Sequence, residues 1–214
     1  MGRGPVGEPA IIRYVNNSLA SVTDVSNTDG AMVLIKTLTA DASTATLSFV
    51  NGSSDVVLDS TYPIYLFKFI NAHPNGDGDV LKINFSDDTS SHSYNLTKTT
   101  TKFDIRHDED GSDGGIAYST GSDMAQGTGV ADLATGTNNS NEASLCGEMY
   151  LFNPSSTTFT KHFLAKTNVD YGSSARGSFV AGYVNTTAAV TAVQFTLGSQ
   201  WDAGTVKLYG IKDS

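Results

Sequence analysis

Between Ala31 and Ile211 the apolar residues fall at every second position in short runs, and Gly, Asn, Asp and Ser break the runs about every 8–15 residues. Leu81, Ile83 and Phe85 alternate with Lys82 and Asn84, and Val193, Phe195 and Leu197 alternate with Gln194 and Thr196. Successive side chains of a strand point to opposite faces, so this period fills one side of a pleated sheet and leaves the other polar. A helix needs its apolar residues three and four apart, and no segment keeps that spacing beyond about two turns. The period predicts an all-β chain.

The runs place strands near Met32–Leu38, Thr44–Val50, Tyr62–Ile70, Val80–Ser86, His92–Thr101 and Lys102–Ile105. Further strands fall at Leu145–Asn153, Thr158–Thr167, Phe179–Val184, Val190–Leu197 and Thr205–Ile211. Asn51-Gly52 and Pro154-Ser155 supply turn chemistry between them. Tyr62–Ile70 is almost continuously apolar and is expected at a sheet centre, buried on both faces, with Pro63 at its start, where no ladder hydrogen bond is lost. Residues 107–143 hold little apolar content and read as long exposed loops carried by short strands, with one helical turn near Asp123–Gln126. About nine to eleven strands joined by short turns fit a two-sheet antiparallel sandwich of jelly-roll type. Phe67, Phe69, Phe85, Phe195 and Leu208 are its expected inner residues.

Residues 1–30 differ from the rest of the chain. Pro5 and Pro9 hold the backbone extended, Gly2, Gly4 and Gly7 loosen it, and apolar anchorage comes from Ile11, Ile12, Tyr14 and Val15. The expected organisation is an extended N-terminal arm over 1–30, with Ile11, Ile12 and Tyr14 as assembly contacts, and one sandwich domain over 31–214. A split near residue 110 is the alternative.

Charge narrows the function classes. The chain carries 13 Lys and Arg against 22 Asp and Glu, a formal charge of −9. A nucleic-acid binder needs a basic stripe to displace counterions, and an anionic membrane surface attracts basic segments. Neither partner is expected. No apolar run approaches the ~20 residues of a membrane span, and the N-terminus has no signal-like apolar stretch. Cys146 is the one cysteine, so no intrachain disulfide forms, and its strand-like setting suggests a buried packing thiol.

Three groupings carry candidate chemistry. Asp108, Asp110 and Asp113 could offer hard oxygen ligands to calcium, but the spacing departs from the EF-hand loop and fits an acidic hairpin tip better. His73, His92, His107 and His162 stand at no metal-ligand spacing, and no nucleophile elbow or phosphate loop is present. No cofactor and no catalytic residue is expected. Trp201, Tyr171, Tyr183 and Tyr209 are candidates for stacking on a sugar ring, although Trp201 suits packing over a core edge better.

Several segments resemble proteins encoded among the structural genes of marine and cyanobacterial tailed phages. They are Ser60–Pro74, Tyr94–Thr101, Leu151–Phe163 and the closing Asp202-Ala-Gly-Thr-Val-Lys-Leu-Tyr-Gly-Ile. The resemblance spans most of residues 31–211 and implies a virion component with no catalytic residues. On that basis the chain is expected on the phage particle surface, made in the bacterial host cytoplasm. Its expected partners are other capsid or tail proteins and copies of itself, a trimer being favoured. Capsid decoration is the first expectation and a head-fibre or tail attachment the second. The alternative is a tail-associated carbohydrate-binding module that holds host glycans.

Overall fold

The computed structural model describes residues 14–15, 18–19, 31–198 and 200–213. The chain divides into two units, Met1–Gly30 and Ala31–Ser214. In the first, β1 (Tyr14–Val15) pairs antiparallel with β2 (Ser18–Leu19). Ile11 and Ile12 lie outside the described residues, and Tyr14 is described only through the backbone of β1.

The second unit contains no helix among its described residues. Its strands are β3 (Met32–Ala40), β4 (Thr46–Val50), β5 (Ile64–Pro74), β6 (Asp79–Ser86), β7 (Lys98–Asp108), β8 (Gly114–Tyr118) and β9 (Met124–Gly127). Then come β10 (Ala131–Thr137), β11 (Leu145–Phe152), β12 (Lys161–Asp170), β13 (Ser174–Val184), β14 (Ala192–Leu197) and β15 (Trp201–Ile211). One sheet runs β10-β6-β14-β4; the other has nine strands in the order β3-β15-β5-β11-β12-β13-β7-β8, with β9 also on β7.

Setting aside β7–β9, β12 and β13 leaves eight strands in four antiparallel pairs: β3 with β15, β4 with β14, β5 with β11 and β6 with β10. First pairs with last and second with second-last, as when one long hairpin is rolled into two facing sheets. This nesting is the jelly roll expected from the sequence. The five remaining strands all extend one sheet beyond β11, so it is more than twice as wide as its partner.

Between the sheets lies an aromatic core. Phe195 of β14 meets Phe67 and Phe69 of β5 at ring-centroid distances of 5.2 and 5.1 Å, and Phe49 of β4 meets Phe67 at 5.3 Å, all edge-to-face. Phe85 and Leu208 are buried with them, so all five expected core residues face inward. On β12, Lys161, Phe163, Ala165, Thr167 and Val169 are buried and the intervening residues exposed without exception.

Several expectations need correction. Residues 107–143 hold the short strands β8 and β9 but are not exposed throughout: β10 places Ala131, Leu133 and Ala134 in the core. The expected strand at His92–Thr101 begins only at Lys98 and continues through Asp108 as one element. Met124–Gly127 forms the short strand β9 rather than a helical turn. The run at Tyr62–Ile70 is interior to its sheet, but Ile70 faces solvent. Thirteen strands lie among the described residues of 31–214, because β8, β9 and β10 add to the expected set while β7 merges two of its members.

Candidate functional site

On β7 the polarity is turned inside out. Lys98, Thr100 and Lys102 are buried, and Phe103 is 42% exposed. Against the inner face here stand Asn84 of β6 and the backbone carbonyls of Leu96 and Thr128. Lys98 Nζ donates to Asn84 Oδ1 (2.7 Å), Leu96 O (2.9 Å) and Thr128 O (3.5 Å). Lys102 Nζ donates to Asp104 Oδ2 at 3.1 Å, and Asp104 accepts Ser178 Oγ through its other oxygen. Inward lysines with acceptors force the alternate positions of β7 outward.

Those outward positions fall in register with outward residues of the neighbouring strands. One row reads Lys207, Lys68, Glu148, Lys166, Phe179, Phe103 and Tyr118 across seven strands, each opposite the next. The row beside it reads Leu34, Tyr209, Leu66, Tyr150, Leu164, Ala181 and Thr101. Phe103 and Phe179 stack with parallel rings 4.9 Å apart, and Tyr150 stacks on Phe152 at 6.4 Å. Leu164, Tyr118 and Ile116 stand 49%, 55% and 75% exposed on this face. Aromatic and aliphatic cross-strand neighbours pack on one another, so the second row and the Phe179–Phe103–Tyr118 end of the first form an apolar band, with the charged end of the first row beside it.

Two shallow hollows indent the band. One of about 360 Å³ is walled by Phe103, Tyr150, Leu164 and Phe179. The other, of about 580 Å³, lies between Ile70, Ile105, Cys146 and Phe179, over Gly177. A Cβ on Gly177 would stand 2.9 Å from the Ile105 side chain, so the glycine keeps this floor open. Of the charges in the first row three are lysines and one a glutamate, so this part of an acidic protein is locally positive. Such a surface can hold an apolar partner rimmed by acidic groups.

Cys146 is exposed on this face rather than buried: Leu145, Met149 and Leu151 take the inner positions of β11. Its Sγ accepts the Asn71 N–H at 3.3 Å.

The sugar-stacking candidates are not brought together. Trp201 is fully buried at the start of β15 and has no face to offer, the packing role that suited it better from sequence. Tyr171 lies in the turn before β13 and Tyr183 near the far end of that strand. The Arg176 guanidinium covers the Tyr171 ring at 3.4 Å from its centroid. The Tyr183 hydroxyl accepts a hydrogen bond from Gln126 Nε2, and Tyr209 is one member of the apolar row between Leu34 and Leu66.

The acidic residues sit at the β7–β8 hairpin tip. Asp113 pairs with Arg106 and accepts the Gly114 N–H, while Asp110 accepts the Ser112 N–H at 2.9 Å and is held below the usual carboxylate range by the Ser112 hydrogen bonds. The Asp108 N–H donates to Asp113 O across the hairpin. Among the described residues no three His, Cys, Asp or Glu side chains group as a metal site, Asp108, Asp110 and Asp113 included.

The apolar band was not among the sequence candidates. Its signal was present in strands such as Leu151–Phe152 and Tyr62–Ile70, which are apolar at both parities, but such runs read as doubly buried. No family model matches the chain, and no curated protein or solved structure matches it.

Proposed function

We propose that this protein is a structural subunit of a tailed-phage particle that works by burying surface against other subunits rather than by chemistry. The observation that carries the reading is the apolar band on the outer face of the nine-stranded sheet. Phe103, Ile116, Tyr118 and Leu164 are all more than 40% exposed there, and a monomer seldom leaves so broad an apolar face to water. The segment resemblances to phage structural proteins give the assembly its kind. In this reading the band is covered by another copy or by a neighbouring capsid or tail protein. The arm, with Ile11, Ile12 and Tyr14, reaches a further subunit. Capsid decoration by a homo-oligomer is the preferred placement.

The test is composition of purified particles. Leu164→Lys with Phe103→Lys places two charges in the band at positions that are 49% and 42% exposed. Incorporation is expected to fall at least tenfold while the melting temperature of the free protein stays near that of wild type. Normal incorporation of the variant removes the band from the reading. Wild-type protein that is absent from particles but is eluted from host cells by soluble glycan establishes the carbohydrate-binding alternative instead.

A further inference from the structure

The nine-stranded sheet has two edges, and they are built differently. The β3 edge carries Lys36 and a register shift against β15 at Leu208/Tyr209, and both features obstruct the addition of another strand. The β8 edge has neither. Gly114-Gly-Ile-Ala-Tyr118 runs in unbroken register with β7 from His107 to Phe103, contains no lysine, proline or bulge, and is exposed at all five residues. Among the described residues β8 pairs with β7 alone, which leaves the alternate N–H and C=O groups of its far side directed to solvent.

We propose that β8 is where a second copy of this chain adds to the sheet, antiparallel to β8 and centred on Ile116. An antiparallel copy of the same edge matches its donors and acceptors by symmetry, as a two-fold interface requires. Charge favours this segment as well. The chain carries −9, so two copies repel wherever their acidic surfaces meet, whereas Gly114–Tyr118 has no charge. Its nearest carboxylates are already engaged: Asp113 by Arg106, and Asp123 by the Tyr118 hydroxyl at 2.7 Å. Pairing at Ile116 also continues the apolar band across the two-fold, because Ile116 stands opposite Ile105 and Tyr118 opposite Phe103 on that face. Self-pairing at this edge rests on the proposed function only in taking subunit contact to be the protein's work.

A five-residue strand pair covers less than the roughly 1,200–2,000 Å² of a stable interface, so the free protein should associate weakly and reversibly. Sedimentation equilibrium up to about 1 mM chain reaches associations of that strength. Wild type is expected to move from monomer to dimer over this range, and Ile116→Lys to remain monomeric. In a Cys146→Ser background, Ile116→Cys should oxidise to a covalent dimer. Facing positions of an antiparallel pair hold their Cα atoms about 4.5–5.5 Å apart, within the roughly 4.4–6.8 Å that a disulfide spans. Leu164→Lys, which alters the band but not the edge, should dimerise like wild type, so failure of the edge is separable from failure of the particle reading. The inference is overturned if wild type stays monomeric throughout, if Ile116→Lys associates as wild type does, or if the cysteine at 116 cross-links no faster than the native Cys146.

Discussion

Lys98 carries its ammonium into the interior of the second unit, where its hydrogen-bond partners are an amide oxygen and two backbone carbonyls. None of the three is charged, so burial acts on it with little compensation and lowers its pKa from 10.5 to about 8. The unfolded chain therefore binds a proton here between pH 8 and 10.5 that the folded chain has released. Stability attributable to this residue rises with pH across that window, and the cost is present in full below pH 8. The total is about 3 kcal/mol at most. Tyr65 sets the upper limit of a clean measurement. Burial and the nearby Asp59 hold its hydroxyl protonated, so above pH 10 the folded chain keeps a proton that the unfolded chain loses, and stability falls. Lys98→Met should be more stable than wild type at pH 7 by about 1–3 kcal/mol. Asn84 Oδ1 still accepts the Phe85 N–H and Thr128 O still accepts Asn84 Nδ2, so Leu96 O alone loses a donor. Denaturant titrations at pH 7, 8, 9 and 10 should show the gap shrinking. A gap of constant size would mean that Lys98 is neutral, or well solvated, throughout.

Strands divide by whether their two faces differ in polarity. On β14 the faces differ clearly. Phe195 is fully buried against Phe49, Phe67 and Phe69, whereas Gln194 lies half-buried and donates to Ser48 Oγ on the neighbouring strand at 3.0 Å. Phe195→Ala should cost about 3–5 kcal/mol and Gln194→Ala less than about 1 kcal/mol, measured by denaturant midpoint with unchanged slope. Equal costs would show that β14 does not bury one face. Strands of this kind, β6, β12 and β14, were legible in the sequence, and so was the jelly roll they help to build. β7 was legible as a strand but not in its direction: period two fixes which residues share a face and leaves open which face is inside, and here Lys98 and Lys102 take the inside. β10 was missed because Ala131, Leu133 and Ala134 are small or sparse among polar residues, and their burial depends on the wide sheet packed beneath them. The apolar band was missed for a related reason. Tyr150 and Leu164 look like core residues in the sequence, but their positions on β11 and β12 alternate with the buried Met149, Leu151, Phe163 and Ala165 and so fall on the outer face.

At the scale of the molecule, the nesting of first strand with last decides what can be removed. β15 lies between β3 and β5, and Thr39 meets Thr205 across 166 residues of chain. Contacts so distant in sequence form only once most of the chain is ordered, so the second unit should fold slowly and as a whole. Every buried core residue among the described residues lies at Ala40 or later, and Trp201, Val206 and Leu208 of β15 are fully buried among them. The two ends of the chain therefore differ sharply in what they contribute to stability. Removing residues 1–15 should leave the unfolding free energy within about 0.5 kcal/mol of wild type, while abolishing incorporation into particles if Ile11, Ile12 and Tyr14 are assembly contacts. Removing residues 199–214 instead deletes the strand that joins β3 to the rest, and no cooperative unfolding transition should remain. Calorimetry of the two truncations checks both statements together. A large loss of stability on removal of residues 1–15 would show that the first unit completes the fold. A cooperative transition without β15 would show that the sandwich does not depend on the pairing of its first and last strands.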